Sequence, residues 1–199
     1  MMASKSNFQF AGVVLAGGFS SRMGQDKALL EIDGETLMHK TARILSELGA
    51  EQVFICRNQN SQGFIQDVYP HCGPLSGIHS ALVHTNLPIL VVPVDLPLLQ
   101  FETLQPLIDK AVEQNDNVHF ENNNLPALIQ NRNHTCEYLT NTLKNSDSAD
   151  LSVRGLFRNI GATVVPKTEC VDLTNVNTPE QWHLAQQQNI ANVRISHRN

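Results

Sequence analysis

Ala11-Gly-Val-Val-Leu-Ala-Gly-Gly18 is the stretch on which the reading of this chain turns. A polar segment precedes the apolar run Ala11–Ala16, two glycines close it, and no polar residue interrupts it. A strand with one wet face alternates in polarity, whereas a strand buried on both faces does not. The run therefore predicts a central strand of a parallel sheet. Leu87–Val94 has the same character and stops at Asp95-Leu-Pro97. Between and beyond these runs, helical spacing is expected over Thr36–Leu48 (with Gly49 closing it), about Ile78–His84, Phe101–Gln114, Thr135–Leu143, Leu151–Asn159 and Thr178–Gln188. Shorter extended pieces are expected at Gln52–Cys56, Asn117–Phe120, Pro126–Gln130 and Ala162–Val165, with Arg57–Cys72 irregular and the tail from Asn189 frayed. Strands alternating with helices imply βαβ units: an α/β, Rossmann-like, largely parallel central sheet with helices on both faces.

The whole chain sets bounds on what such a sheet can serve. It has 199 residues, 41% of them hydrophobic and 17% charged, which fits one domain spanning 1–199 with an ordered core at about 8–188. A domain of that size buries roughly 70% of its unfolded surface and needs no metal or disulfide for stability. Fourteen Lys and Arg against nineteen Asp and Glu leave a net charge of −5, without the basic surplus of a nucleic-acid binder. Cys56, Cys72, Cys136 and Cys170 form no CxxC pair, so reduced thiols in a cytoplasmic protein are expected. The first nine residues hold no apolar core of a secretion signal, and no run is long enough to span a bilayer.

In open α/β sheets, ligands bind beyond the carboxyl ends of the strands, so the loops after Ala16 and after Val94 are the places to look. The first of these reads Gly17-Gly-Phe-Ser-Ser-Arg-Met-Gly-Gln-Asp-Lys27. Gly17 and Gly18 leave backbone N–H groups unobstructed and permit positive φ, so the loop can wrap an anion. Arg22 offers a planar fork to phosphate oxygens, Lys27 a compact charge on a long stem, and Ser20 and Ser21 hydroxyl donors. The adjacent glycines do not fit GxGxxG, and Ala28 after Lys27 does not fit GxxxxGK[ST]. The pattern is a triphosphate cradle of another kind. Asp95 ends a buried strand between Pro93 and Pro97, a rigid place for a cation-binding carboxylate. Gly73-Pro-Leu-Ser-Gly77 opens a helix whose N-terminus favours anions.

Leu15-Ala-Gly-Gly-Phe-Ser-Ser-Arg-Met-Gly-Gln-Asp-Lys-Ala-Leu-Leu30 resembles the LAGGxSxRMGxDKAL signature of the MobA family, the molybdenum cofactor guanylyltransferases. Gly73–Gly77, Pro93-Val-Asp-Leu-Pro-Leu98 and Asn175-Val-Asn-Thr-Pro-Glu180 follow in the family's order, so the resemblance runs from Ala11 to Gln187. It implies transfer of GMP from GTP to the phosphate of molybdopterin, with Mg²⁺ and release of pyrophosphate. By motif match, Arg22, Lys27 and Asp95 would be catalytic. Leu15, Ala16, Gly17, Gly18, Asn58 and Asp67 would bind GTP together with Lys27 and Asp95, and Asp95 would hold the metal. Asn175 and Asn177 would lie on the molybdopterin side. Other proteins of molybdenum cofactor synthesis and apo-molybdoenzymes would be partners. The chain departs from the pattern at Cys56-Arg-Asn58, where the family's Asn-Arg order is reversed. It departs again at Asn122–Leu125, where a basic residue is missing and Arg154 is the substitute at hand. The alternatives are a cytidylyltransferase, a sugar-phosphate nucleotidyltransferase, and a non-catalytic nucleotide-binding module. Related cytidylyl enzymes tend to show LAAG where this chain has Leu15-Ala-Gly-Gly18.

Overall fold

A computed structural model describes residues 8–17, 23–59, 63–147, 149–168 and 171–196. Strand β1 (Ala11–Leu15) is buried at every residue, as its unbroken apolar run requires. After it the chain forms a single 3-10 turn, Lys27–Leu29, and a small antiparallel hairpin of β2 (Glu31–Ile32) and β3 (Glu35–Thr36). The hairpin is not among the expected elements. Its signal is the dipeptide Asp33-Gly34, whose residues take φ of 55° and 78°, the left-handed pair that a two-residue turn needs.

Helix α1 (Leu37–Glu47) begins at Thr36, whose hydroxyl accepts from the His39 N–H, and leads to β4 (Gln52–Cys56) and β5 (Phe64–Ile65). The region 57–72, expected to be irregular, thus adds an edge strand, held on β4 by pairing rather than by an apolar run of its own. Helix α2 (Pro74–His84) starts earlier than expected. Pro74 occupies its first position, where a fixed φ and a missing N–H cost nothing, and Gly73 makes the entry bend at φ 64° and ψ −151°.

Then follow β6 (Ile89–Pro93), α3 (Phe101–Gln114), β7 (Val118–Phe120), β8 (Ala127–Ile129), α4 (Arg132–Lys144), α5 (Val153–Ile160), β9 (Thr163–Val165) and α6 (Pro179–Ser196). Helix α4 runs a turn further back than its pattern suggested. The Arg132 guanidinium joins it to α2 by donating to the carbonyls of Leu82 and Thr85. Helix α6 also continues past Asn189, where fraying was expected. No Gly or Pro interrupts it beyond Pro179, and the Asn189 amide donates to Asp33 Oδ2 at 2.7 Å, tying the helix to the hairpin turn.

Seven strands make one sheet in the order β5-β4-β1-β6-β8-β7-β9. All pairs are parallel except those of β8, which runs antiparallel to β6 and β7. Alternate residues feed two cores. Val14, Leu90 and Val92 pack with α1 and α3 on one face, while Val13, Leu15 and Val91 pack with α2, α4 and α5 on the other. The expected α/β sheet with helices on both faces is what the chain forms. Trp182 and Ala185 dock α6 against the first core.

The register matters most. Leu15 is level with Cys56 on one side and Pro93 on the other, so the chain leaves three adjacent strands side by side. The Ala16 N–H then donates to Cys56 O at 3.0 Å, and the Val94 N–H to Leu15 O at 3.1 Å. Ala16, Arg57 and Val94 therefore start their loops at a common edge. Close packing below that edge is tight: a Cβ on Gly12 would lie 2.9 Å from Leu45 Cβ in α1. Gly12→Ala is expected to lower the free energy of unfolding by about 1–3 kcal/mol through overpacking, read from the urea midpoint at unchanged m-value.

Candidate functional site

Three distant segments meet at that edge. Asp26 opens the 3-10 turn: its Oδ1 accepts from the Ala28 N–H at 3.1 Å, and the turn points Lys27 back over the sheet. Asp95 follows β6. Its carbonyl accepts from the Val176 N–H at 3.0 Å, which fastens Asn175-Val-Asn177 beside it. The Lys27 ammonium then lies 2.6 Å from Asn177 Oδ1 and 3.5 Å from Asp95 Oδ2. With side-chain exposures of 13% and 22%, Lys27 and Asp95 are shielded enough for their charges to be felt strongly, yet still reachable. The loop holding Asp95 is secured from α1 as well, since Lys40 Nζ donates to Pro97 O at 2.6 Å. Burial lowers the Lys40 pKa, with Asp33 and Glu35 opposing the shift and Arg43 adding to it.

Asp95 Oδ1 is buried and accepts no hydrogen bond from the described residues. An anionic oxygen in that position is incomplete without a cation or a donor. One hard carboxylate beside an anion-binding loop suits Mg²⁺, which takes one or two carboxylates and fills its remaining positions with phosphate oxygens and water. The residues fit the ion. No group of three or more His, Cys, Asp or Glu forms a fuller metal cage among the described residues.

A second wall of the site surrounds Leu15. Gly77, in the first turns of α2, sits so close that an added Cβ would lie 2.8 Å from Leu15 Cδ2 and 3.4 Å from Cys56 Cβ, with Asp67 Oδ1 at 3.8 Å. Asp67 and Asn58 bond reciprocally: Asn58 Nδ2 donates to Asp67 Oδ2 at 2.7 Å, and the Asp67 N–H donates to Asn58 Oδ1 at 2.9 Å. Asn58 thereby braces Asp67. Burial raises the Asp67 pKa, the Asn58 hydrogen bond and the charge of His71 pulling against it. Cys56 donates its thiol to Gly77 O at 3.4 Å, and burial, helped by Asp67, pushes its pKa up to about 12. It is a neutral packing thiol, not a nucleophile.

The structure thus brings Lys27, Asp95 and Asn177 into one cluster, and Leu15, Asp67 and Asn58 into an adjoining one. Asn175 is exposed, next to the Val176 tie. Ala16 carries its N–H in the sheet and its carbonyl toward Arg57. Gly17 is exposed but does not use the left-handed region expected of it, and an added Cβ would meet nothing nearer than Cys56 O at 3.8 Å. Its lack of a side chain serves open access to the loop, not a backbone turn. Gly18, Ser20, Ser21 and Arg22 lie outside the described residues. Sequence reasoning passed over Asp26 and Arg57, which pair in this site with Arg57 only 3% exposed. The available signal was a lone arginine directly after an apolar strand.

Residues 12–158 match the family model described as MobA-like NTP transferase domain. A molybdenum cofactor guanylyltransferase from Xanthomonas euvesicatoria is 38% identical over 177 residues, covering 87% of this chain and 92% of that protein. Among solved structures, a molybdopterin-guanine dinucleotide biosynthesis protein A from Archaeoglobus fulgidus superposes with a TM-score of 0.73 at 20% identity, covering 91% of this chain and 99% of the other. A 2-C-methyl-D-erythritol 4-phosphate cytidylyltransferase from Thermus thermophilus shares the fold with a TM-score of 0.65 at 14% identity, over 89% and 97% of the two chains. The signature loop, the Asp95 segment and the Asn177 segment that converge on one ammonium are thus set in a nucleotidyltransferase fold, and the chain belongs to the MobA family, the molybdenum cofactor guanylyltransferases.

Proposed function

We propose that this protein transfers GMP from GTP to the terminal phosphate of molybdopterin, forming molybdopterin guanine dinucleotide and pyrophosphate. One observation carries the reading: Lys27, Asp95 and Asn177, from the first, middle and last motifs, share contacts within one cluster. The Xanthomonas relative's name supports guanylyl transfer as the reaction run there.

Nucleotidyl transfer needs little covalent help from protein; the work is positioning and charge neutralisation. Lys27 supplies a cation that stays in place because two acceptors hold it, and it stabilises negative charge on the phosphates as the bond to pyrophosphate breaks. Asp95 would hold Mg²⁺ through the oxygen that lacks a donor, and the bound ion would supply charge neutralisation and orientation of the triphosphate. Asn177 places an amide beside Lys27, where the acceptor phosphate must approach. That phosphate is already anionic, so no general base is required. Asp67, beside the packed contact of Leu15 with Gly77, would be the acceptor for the N–H donors of the guanine. Gly17, Gly18 and Arg22 would complete the phosphate cradle. The sheet running unbroken from β5 to β9 supports a single catalytic unit. No helix among the described residues is long and apolar enough to cross a membrane, and Cys56, Cys72 and Cys136 are free thiols. In this reading the protein works in the cytoplasm, and its product would pass to apo-molybdoenzymes.

Calorimetric titration with GTP, CTP, ATP and UTP in Mg²⁺ tests the base: GTP alone should bind, and the absence of any nucleotide binding overturns the reading. Lys27→Ala and Asp95→Asn should each cut guanylyl transfer about 10²–10³-fold, with the thermal midpoint moved by no more than a few degrees. Asp67 makes a pH prediction. Because burial raises its pKa, its carboxylate is lost on acidification sooner than an exposed aspartate's. GTP affinity should therefore fall on acidification at a higher pH than an exposed aspartate would give, and Asp67→Asn should flatten that acid limb.

A further inference from the structure

Arg57 is one of the most deeply buried charges in the chain, at 3% exposure, and the reaction as described does not use it. Its Nη1 donates to Ala16 O at 3.3 Å and to Asp26 Oδ1 at 3.3 Å, while Nη2 donates to Asp26 Oδ2. Its own N–H is taken by Ile65 O at 2.9 Å, and its guanidinium carbon lies 5.9 Å from the centre of the Phe64 ring. Ala16 is the last residue before the signature loop and Asp26 the residue that begins the turn carrying Lys27. Both ends of the loop therefore rest on one guanidinium, which is itself anchored to β4 and β5.

Stability alone does not account for this arrangement. Taking the Arg57 charge out of water costs about as much as attraction to a carboxylate that is still 34% exposed returns, and Arg57 Nε is buried with no partner among the described residues. What a planar fork adds is geometry: it can grip a carboxylate with two parallel bonds and reach a carbonyl in the same plane. It also cancels the charge of Asp26, a carboxylate next to a loop that must accept a polyphosphate.

Resting on the nucleotide reading above, we propose that Arg57 is a positioning residue for the donor nucleotide. It clasps the two feet of the phosphate loop and, through Asp26, holds the turn that aims Lys27 at Asn177 and Asp95. A lysine at this position would keep the charge but could not span the Ala16 carbonyl and both Asp26 oxygens.

The test uses full-length wild type, Arg57→Lys and Arg57→Met, with Mg²⁺–GTP titration, steady-state kinetics and amide exchange. Both variants should weaken GTP binding by about tenfold or more, raise KM correspondingly and also lower kcat at saturation, because Lys27 is no longer held against Asn177 and Asp95. The Ala28, Leu29 and Leu30 amides should exchange at least about tenfold faster, while those of Leu90–Val92 in β6 keep their protection. Wild-type affinity in Arg57→Lys would mean that charge alone suffices and overturns the clasp, as would wild-type affinity in Arg57→Met. Loss of protection in β6 in both variants would assign Arg57 to the fold instead and also overturns it. If wild type itself fails to bind GTP, the nucleotide reading falls, and exchange confined to Ala28–Leu30 still decides whether the clasp exists.

Discussion

Strand β1 lies between β4 and β6 with every residue buried, and its register with both places Leu15, Cys56 and Pro93 at one level. Hydrogen bonding leaves no freedom there, because a slip of one residue would carry Val13 and Leu15 from one core to the other and expose the wrong faces. The loops that follow these strands must therefore begin side by side. The site is a consequence of that alignment. Asp95 stands where it does because β6 stops level with β1, and Arg57 because β4 does.

Charge in the site is arranged in two layers. The lower layer is buried Arg57 paired with the partly exposed Asp26, neutral as a unit. The upper layer is Lys27 between Asn177 and Asp95, with one carboxylate oxygen left without a donor among the described residues. A chain with a net charge of −5 can receive a polyphosphate only by concentrating its cations locally, and the layering keeps the nearby carboxylates from cancelling that effect. Beside these layers, Gly77 packs against Leu15 and Cys56 with Asp67 at the margin, so that region carries a single carboxylate.

Elements whose stability is local were the legible ones. Gln52–Cys56 and Phe101–Gln114 appear where their patterns place them, and the signature segment pointed to the edge of the sheet that carries the site. Elements that exist only because a neighbour holds them were not legible. Strand β5 is two residues long and rests on β4, and α6 beyond Asn189 depends on a hydrogen bond to Asp33, far away in sequence. Asn58 and Asp67, both expected at the nucleotide, also bond to each other, a pairing that no spacing rule announces.

By itself the sequence determined the class of fold, the edge of the sheet at which its motif residues gather, and their residue types. These follow from apolar periodicity and side-chain chemistry, which are properties of neighbours along the chain. Only the tertiary structure decided that Lys27 shares its ammonium between Asn177 and Asp95, and that Arg57 supports the loop from beneath. Those contacts join residues brought together by parallel strand pairing, and the long crossovers that such pairing requires leave no local trace of which residues will meet.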